Sequence, residues 1–183
     1  MADFEIKNGV AIIPEGTTTI GKSAFSGCSS LQSITIPEGV TEIGGGAFGD
    51  CSSLQSITIP EGVTEIGMFA FMKCSSLQSI TIPEGVTEIG ESAFKKCSSL
   101  QSIVIPKGVK KIEEYAFWYC TALTAVTLPV GVNKIADTSF DECKALTTIY
   151  VPAKKTDYYK WRLPERLHSL IVELQPEKKT KKK

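Results

Sequence analysis

One spacing governs this chain. Prolines stand at Pro14, Pro37, Pro60, Pro83, Pro106, Pro129 and Pro152, and cysteines at Cys28, Cys51, Cys74, Cys97, Cys120 and Cys143. Every neighbouring pair in both series is 23 residues apart. A fixed period of this length marks an architecture of stacked units rather than a conventional globule. One unit reads SSLQSITIPEGVTEIGxxAFxxC. Its apolar residues form one-sided ridges that a single unit cannot bury, so neighbours must stack to make a continuous core.

Within a unit, alternation over QSITI predicts a short strand with Ile34 and Ile36 facing inward and Ser33 and Thr35 facing solvent. Pro37 lacks a ladder N–H and ends the strand, and PEG turns the chain. Val40 and Ile43 supply a second short extended segment. Ala47, Phe48 and Cys51 have the i, i+1, i+4 spacing of one face of a helical turn, which leaves 45, 46, 49 and 50 outside. Stacking at a sheet spacing of about 4.8 Å sets equivalent cysteines too far apart for a disulfide, which prefers Cβ atoms about 3.8 Å apart. The expectation is therefore a ladder of buried free thiols acting as small apolar groups. No CxxC pair occurs and His168 is the only histidine, so zinc is not expected.

The frame CSSLQSITIPEGVTEIGxxAF, from Cys28 through Phe48 and repeated to Cys143, resembles the BspA-like (Treponema-pallidum-type) leucine-rich repeat family. It differs from commoner leucine-rich repeats in having no asparagine ladder. The resemblance implies a right-handed leucine-rich repeat solenoid, parallel β with short helical turns, of six 23-residue repeats plus terminal caps. It further implies a bacterial or protist surface protein that binds other proteins, and it carries no catalytic residues across.

The expected organisation is an N-terminal cap and degenerate first repeat over 1–28, leucine-rich repeats over 29–152, a C-terminal cap over 153–174, and a disordered basic tail over 175–183. Within the C-terminal cap, a helical turn is expected at 157–162 and a last strand at 170–174, covering an edge that would otherwise aggregate. Residues 154–183 hold ten of the twenty Lys and Arg but only four of the twenty Asp and Glu. No aromatics interleave with the final lysines, so nucleic acid is not the expected partner. No run of about 18 apolar residues is present, so no membrane span is expected. The opening MADFEIKNGV lacks the regions of a secretory signal. It predicts a cytoplasmic chain as expressed, or a surface or secreted one if a leader has been removed.

Units 29–51, 52–74 and 75–97 differ only at 45, 46, 49 and 50 and their equivalents. Other exposed positions, such as Thr35 and Glu38, do not vary. Variation confined to one ridge suggests selection for binding or deliberate choice, and the uniform frame favours an engineered consensus scaffold over recently duplicated natural units. The third unit puts Met68, Phe69, Met72 and Lys73 on this ridge, the fourth Lys95 and Lys96, and the fifth Tyr115, Trp118 and Tyr119. Aromatic side chains and Met are enriched at interface centres. These nine residues are the expected partner-binding set, for a protein or peptide, with self-association through the same apolar ridge as an alternative. Others are a structural array without a dedicated partner, a fragment of a natural surface adhesin, and a site on the strand face lined by Ser33, Thr35 and their equivalents.

The sequence has no GxSxG, HExxH or phosphate-loop GK[ST], and GGGAFGD has only the glycines of such a loop. Columns at Glu38, Glu61, Glu84 and at Glu42, Glu65, Glu88 read as solvated turn acids rather than a calcium site. The expectation is a protein that is not an enzyme, with no metal and no cofactor.

Overall fold

The computed structural model describes residues 6–175. A hairpin opens it, β1 (Ile6–Lys7) running antiparallel to β2 (Val10–Ile12). From there the chain winds as a solenoid, and every later strand pairing is parallel. One column holds β3 (Thr19–Ile20), β5 (Glu42–Ile43), β6 (Glu65–Ile66), β7 (Glu88–Ile89), β9 (Lys111–Ile112) and β11 (Lys134–Ile135). Each strand is two residues long, with its isoleucine buried and the polar residue outside. Registers such as Ile43 on Ile66 on Ile89 place like on like.

The second column contains β2, β4 (Ser33–Thr35), β8 (Ser102–Val104), β10 (Ala125–Thr127), β12 (Thr148–Val151) and β13 (Ile171–Glu173). The period predicts a QSITI strand in every unit, and here the structure differs. In the two intervening units only a bridge between Thr58 and Thr81 remains. One bond per layer still holds that segment, Gln55 N–H to the Gln32 carbonyl and Gln78 N–H to the Gln55 carbonyl, both at 3.2 Å. The second extended segment, ending in Glu-Ile, therefore builds the continuous six-stranded sheet.

The xxAFxxC segment is not a helical turn. Its N–H groups alternate between two destinations. Ala47, Gly49 and Cys51 bond three residues back to Gly44, Gly46 and Phe48, closing three overlapping β-turns. Gly46, Phe48 and Asp50 instead donate onward to Met68, Ala70 and Met72 of the next unit at 2.7–2.8 Å. This onward bonding makes a third hydrogen-bonded column. The inward residues are nevertheless those expected, since Ala47, Phe48 and Cys51 are fully buried.

The core is a stack of repeats of itself. Phe25, Phe48, Phe71, Phe94, Phe117 and Phe140 form a ladder with ring centroids 5.3–5.4 Å apart and planes within 9° of parallel. These parallel stacked rings lie within the roughly 4.5–7 Å centroid range of favourable aromatic pairs. All six cysteines are free thiols, five buried and Cys28 half-buried. Each buried thiol also donates to the phenylalanine carbonyl of the preceding unit, as from Cys74 Sγ to Phe48 O at 3.1 Å, and likewise from Cys51, Cys97, Cys120 and Cys143. The frame thus uses cysteine where alanine would leave a buried carbonyl without that donor.

At the C-terminal end, α1 (Thr156–Lys160) and a 3-10 turn (Glu165–Leu170) lead into β13, which pairs with β12. Tyr159 is fully buried and its hydroxyl donates to the Pro129 carbonyl, while Tyr158 reaches the Val132 carbonyl at 2.9 Å. The helical turn and last strand expected in this segment are both present. The basic tail lies, from residue 176 onward, outside the described residues.

Burial pushes the Cys51 and Cys143 thiols up to about 12 from the ordinary value of 9.0, and Cys97 well above it. Above pH 9 the unfolded chain releases thiol protons that the folded chain retains, so stability falls as pH rises from about 9 toward 12. The expected loss approaches about 1.4 kcal/mol per pH unit for each such thiol. Urea unfolding across that range tests it, and a variant with the five buried cysteines changed to alanine should lose most of the slope.

Candidate functional site

The ridge formed by the variable positions has an unusual backbone. At its second position in the first five units, though not at Thr138 of the sixth, φ is +56° at Ser23, +65° at Gly46, +59° at Phe69, +54° at Ser92 and +56° at Tyr115. At its fourth position, Gly27, Asp50, Lys73, Lys96, Tyr119 and Glu142 are also left-handed. These are third positions of the overlapping turns, where a positive φ favours glycine. Bulky residues there are outliers, disfavoured by roughly 1–2 kcal/mol. The sequence did carry a signal of this, since Gly46 and Gly27 fall on the two left-handed positions.

None of the nine expected residues belongs to the core. Met68 is 50% exposed and Tyr119 40%. Lys73 and Lys96 are exposed, and Phe69, Met72, Lys95, Tyr115 and Trp118 are half-buried. Between the third and fifth units the ridge dips, because Ser92 is buried. Lys73, Lys96, Trp118 and Tyr119, from three successive units, line one groove, while Met68, Phe69 and Met72 line another.

On the N-terminal side, Met68, Phe69 and Met72 wall a groove of about 510 Å³ whose floor includes Gly45, Gly46 and Gly49. A Cβ at Gly45 would meet Met68 at 3.4–3.5 Å, an ordinary contact. The frame tolerates a side chain there, so glycine is what keeps the groove deep. By contrast, a Cβ at Gly67 would lie 2.8 Å from the Gly45 nitrogen, so that glycine serves the close stacking of layers.

On the C-terminal side, the lysines of the fourth unit lie over the rings of the fifth. Lys95 Nζ is 4.9 Å from the Trp118 ring centre and 5.3 Å from that of Tyr115, and Lys96 Nζ is 5.4 Å from Trp118 and 6.0 Å from Tyr119. These distances are within cation–π range. Lys73 instead pairs with Asp50 at 2.9 Å. Across the ridge a groove of about 550 Å³ is acidic, with Glu65, Glu91 and Glu114 beside Met68. Its Glu88 and Glu113 are already bonded to Lys111 and Lys134. The ridge thus separates opposite charges.

The strand face is less uniform than its hydroxyl pattern suggests. In register, Ile12 pairs with Thr35, and Val104 with Thr127, Tyr150 and Val172. Ile12, Val104 and Val172 are exposed, so apolar side chains flank the central threonines. The sequence reading gave no role to Trp161, which is 88% exposed beyond α1. Among the described residues no cluster of His, Cys, Asp or Glu has the geometry to hold a metal.

Comparison with known proteins bears on what such a ridge serves. A family model described as BspA type leucine rich repeat region matches residues 5–121 and 41–163. Among solved structures, the T. pallidum leucine rich repeat protein is 35% identical with a TM-score of 0.75, over 87% of this chain and 80% of that one. A leucine rich cell surface protein from Faecalibacterium prausnitzii is 32% identical with a TM-score of 0.68, over 82% of this chain and 50% of that one. A leucine-rich repeat protein from Bacteroides ovatus is 32% identical with a TM-score of 0.75, over 91% of this chain and 42% of that one. The chain thus spans half or less of the F. prausnitzii and B. ovatus proteins. Comparison with curated proteins found no match.

Phe69→Gly and Tyr115→Gly should leave stability unchanged or raise it by about 1 kcal/mol, because each removes a left-handed side-chain penalty partly offset by glycine's entropy. Chemical denaturation measures this. A loss of more than about 1 kcal/mol would show that these rings pack for the fold.

Proposed function

Because the chain belongs to the BspA-type leucine-rich repeat family, we propose that it is a non-catalytic binding module which holds a protein or peptide through its variable ridge. The observation that carries this reading is the backbone under Phe69 and Tyr115. Both aromatic residues occupy left-handed positions that disfavour them, and both remain half-buried at the surface. The core is complete beneath them, and Gly46 fills the same position one unit earlier. Local strain retained without a folding benefit is best accounted for by what the side chains touch. Large apolar and aromatic groups flanked by lysines are the composition of an interface centre.

The relatives support a bacterial cell surface as the place of action, one of them being a cell surface protein. They also bear on origin. The uniform frame fits either an engineered consensus or recently duplicated natural units, and similarity to bacterial proteins lends the engineered reading no support.

The double variant Phe69→Ser with Trp118→Ser tests the reading. Capture of a protein partner from a cell lysate should be abolished while the melting temperature moves by only a few degrees. Unchanged capture, or an unfolded variant, would overturn the ridge as the binding surface.

A further inference from the structure

The lysines of the fourth unit hold charge that their own neighbours do not neutralise. Among the described residues no carboxylate lies within ion-pair distance of Lys95 or Lys96. Their ammonium groups rest over Trp118, Tyr115 and Tyr119 instead. A ring face positions a cation but leaves its charge intact. Two cations fixed in this way form an anion site whose ordering is largely complete before any ligand arrives.

The groove beside them, about 610 Å³, extends from Asp50 to Tyr119 and includes Lys73, Lys96 and Trp118. Its other wall is the column Ser52, Ser75 and Ser98. These hydroxyls face a particular way. Ser75 Oγ donates to the Ser52 carbonyl at 3.3 Å, and Ser98 Oγ to the Ser75 carbonyl at 3.4 Å. With these two hydroxyl hydrogens committed along the column, the Ser75 and Ser98 oxygens offer lone pairs to a donor in the groove. One wall therefore accepts N–H groups while the other attracts carboxylates. A peptide with acidic side chains supplies both. An acidic sugar chain would look for an open ring face, yet Trp118 is already overlain by two ammonium groups.

Charge along the groove is graded. At one end Asp50 bonds Lys73 at 2.9 Å and cancels it, while at the other Lys96 is free of acid. Asp50 to Tyr119 is three layers, each about one ring spacing of 5.3 Å. An extended peptide rising about 3.3 Å per residue crosses that span in about five residues.

We infer that this groove binds an extended acidic peptide segment of a partner protein, with a carboxylate on Lys96 and backbone N–H groups on the serine column. The inference rests on the ridge being a protein-binding surface and names the chemistry of what it binds.

The test is fluorescence anisotropy of a labelled hexaglutamate peptide with the full chain at low ionic strength. Lys96→Ala should weaken binding about tenfold or more, the loss of one charge-assisted hydrogen bond, and Lys96→Arg should restore most of it. Asp50→Asn should strengthen binding severalfold, because it frees Lys73. Added salt should weaken binding throughout. Trp161→Ser, at an exposed side chain outside this groove's lining, should leave the peptide's affinity unchanged. Affinity indifferent to both Lys96→Ala and Asp50→Asn overturns the inference, since the peptide would then be held elsewhere, as by the lysines of 178–183. So does Lys96-dependent binding of oligogalacturonate without binding of hexaglutamate, and so does a dimer in sedimentation that Lys96→Ala disperses. If the peptide fails while Phe69→Ser with Trp118→Ser still abolishes partner capture, the acidic class is wrong and the binding ridge stands.

Discussion

Every layer of this protein is completed by hydrogen bonds to the layers beside it. The Glu-Ile column, the discontinuous Ser-Ile-Thr column and the turn column each exchange backbone bonds with their equivalents above and below. Within a unit the local bonds are mostly those of tight turns, too few to hold it alone. The constant 23-residue period keeps the three columns aligned through the repeats, although the last pairing, Ile149 on Ile171, spans 22 residues. The phenylalanine ladder and the thiol-to-carbonyl bonds are consequences of the same alignment. Identical residues meet because registers such as Ile43 on Ile66 leave no alternative.

That arrangement divides the molecule's residues between two tasks. Ala, Phe and Cys of the turn segment build the core, while the four residues between them are held by main-chain bonds indifferent to side-chain identity. Gly46, Phe69, Ser92 and Tyr115 share one backbone conformation although nothing in their side chains is alike. The ridge can therefore carry rings at a local cost of roughly 1–2 kcal/mol, which the shared core is large enough to absorb. Its electrostatics arise in the same way. Lys95 and Lys96 meet Trp118 because successive units place corresponding positions side by side.

Much of this was legible in the residues. Period, inward face and the exposed status of the ridge follow from fixed spacing and apolar pattern, since a buried stack admits few exceptions. The left-handed turns were not, although Gly27 and Gly46 mark them, because Ser, Phe, Lys and Tyr at the same positions hide a preference that main-chain bonding overrides. Reading Ala47, Phe48 and Cys51 as a helical face found the right inward residues with the wrong backbone, as overlapping turns share that spacing. The interruption around Thr58 and Thr81 could not have been read at all, because those units have the same strand sequence as Ser33–Thr35. Ridge function was legible only as an expectation, for the residues show what is exposed and not what covers it.

The alternation of N–H directions along the turns has one more consequence. Since most main-chain donors there are committed either to their own turn or to the next layer, ridge side chains do little to complete the scaffold, Thr138 Oγ1 accepting from Tyr115 N–H at 3.3 Å being an exception. The four-residue sets behave like interchangeable letters on a fixed line, and their order along the axis is the message. Duplication of a whole unit lengthens the line by one letter without disturbing those already written. An array of this kind can therefore gain or exchange a whole unit without compensating changes in the packed core.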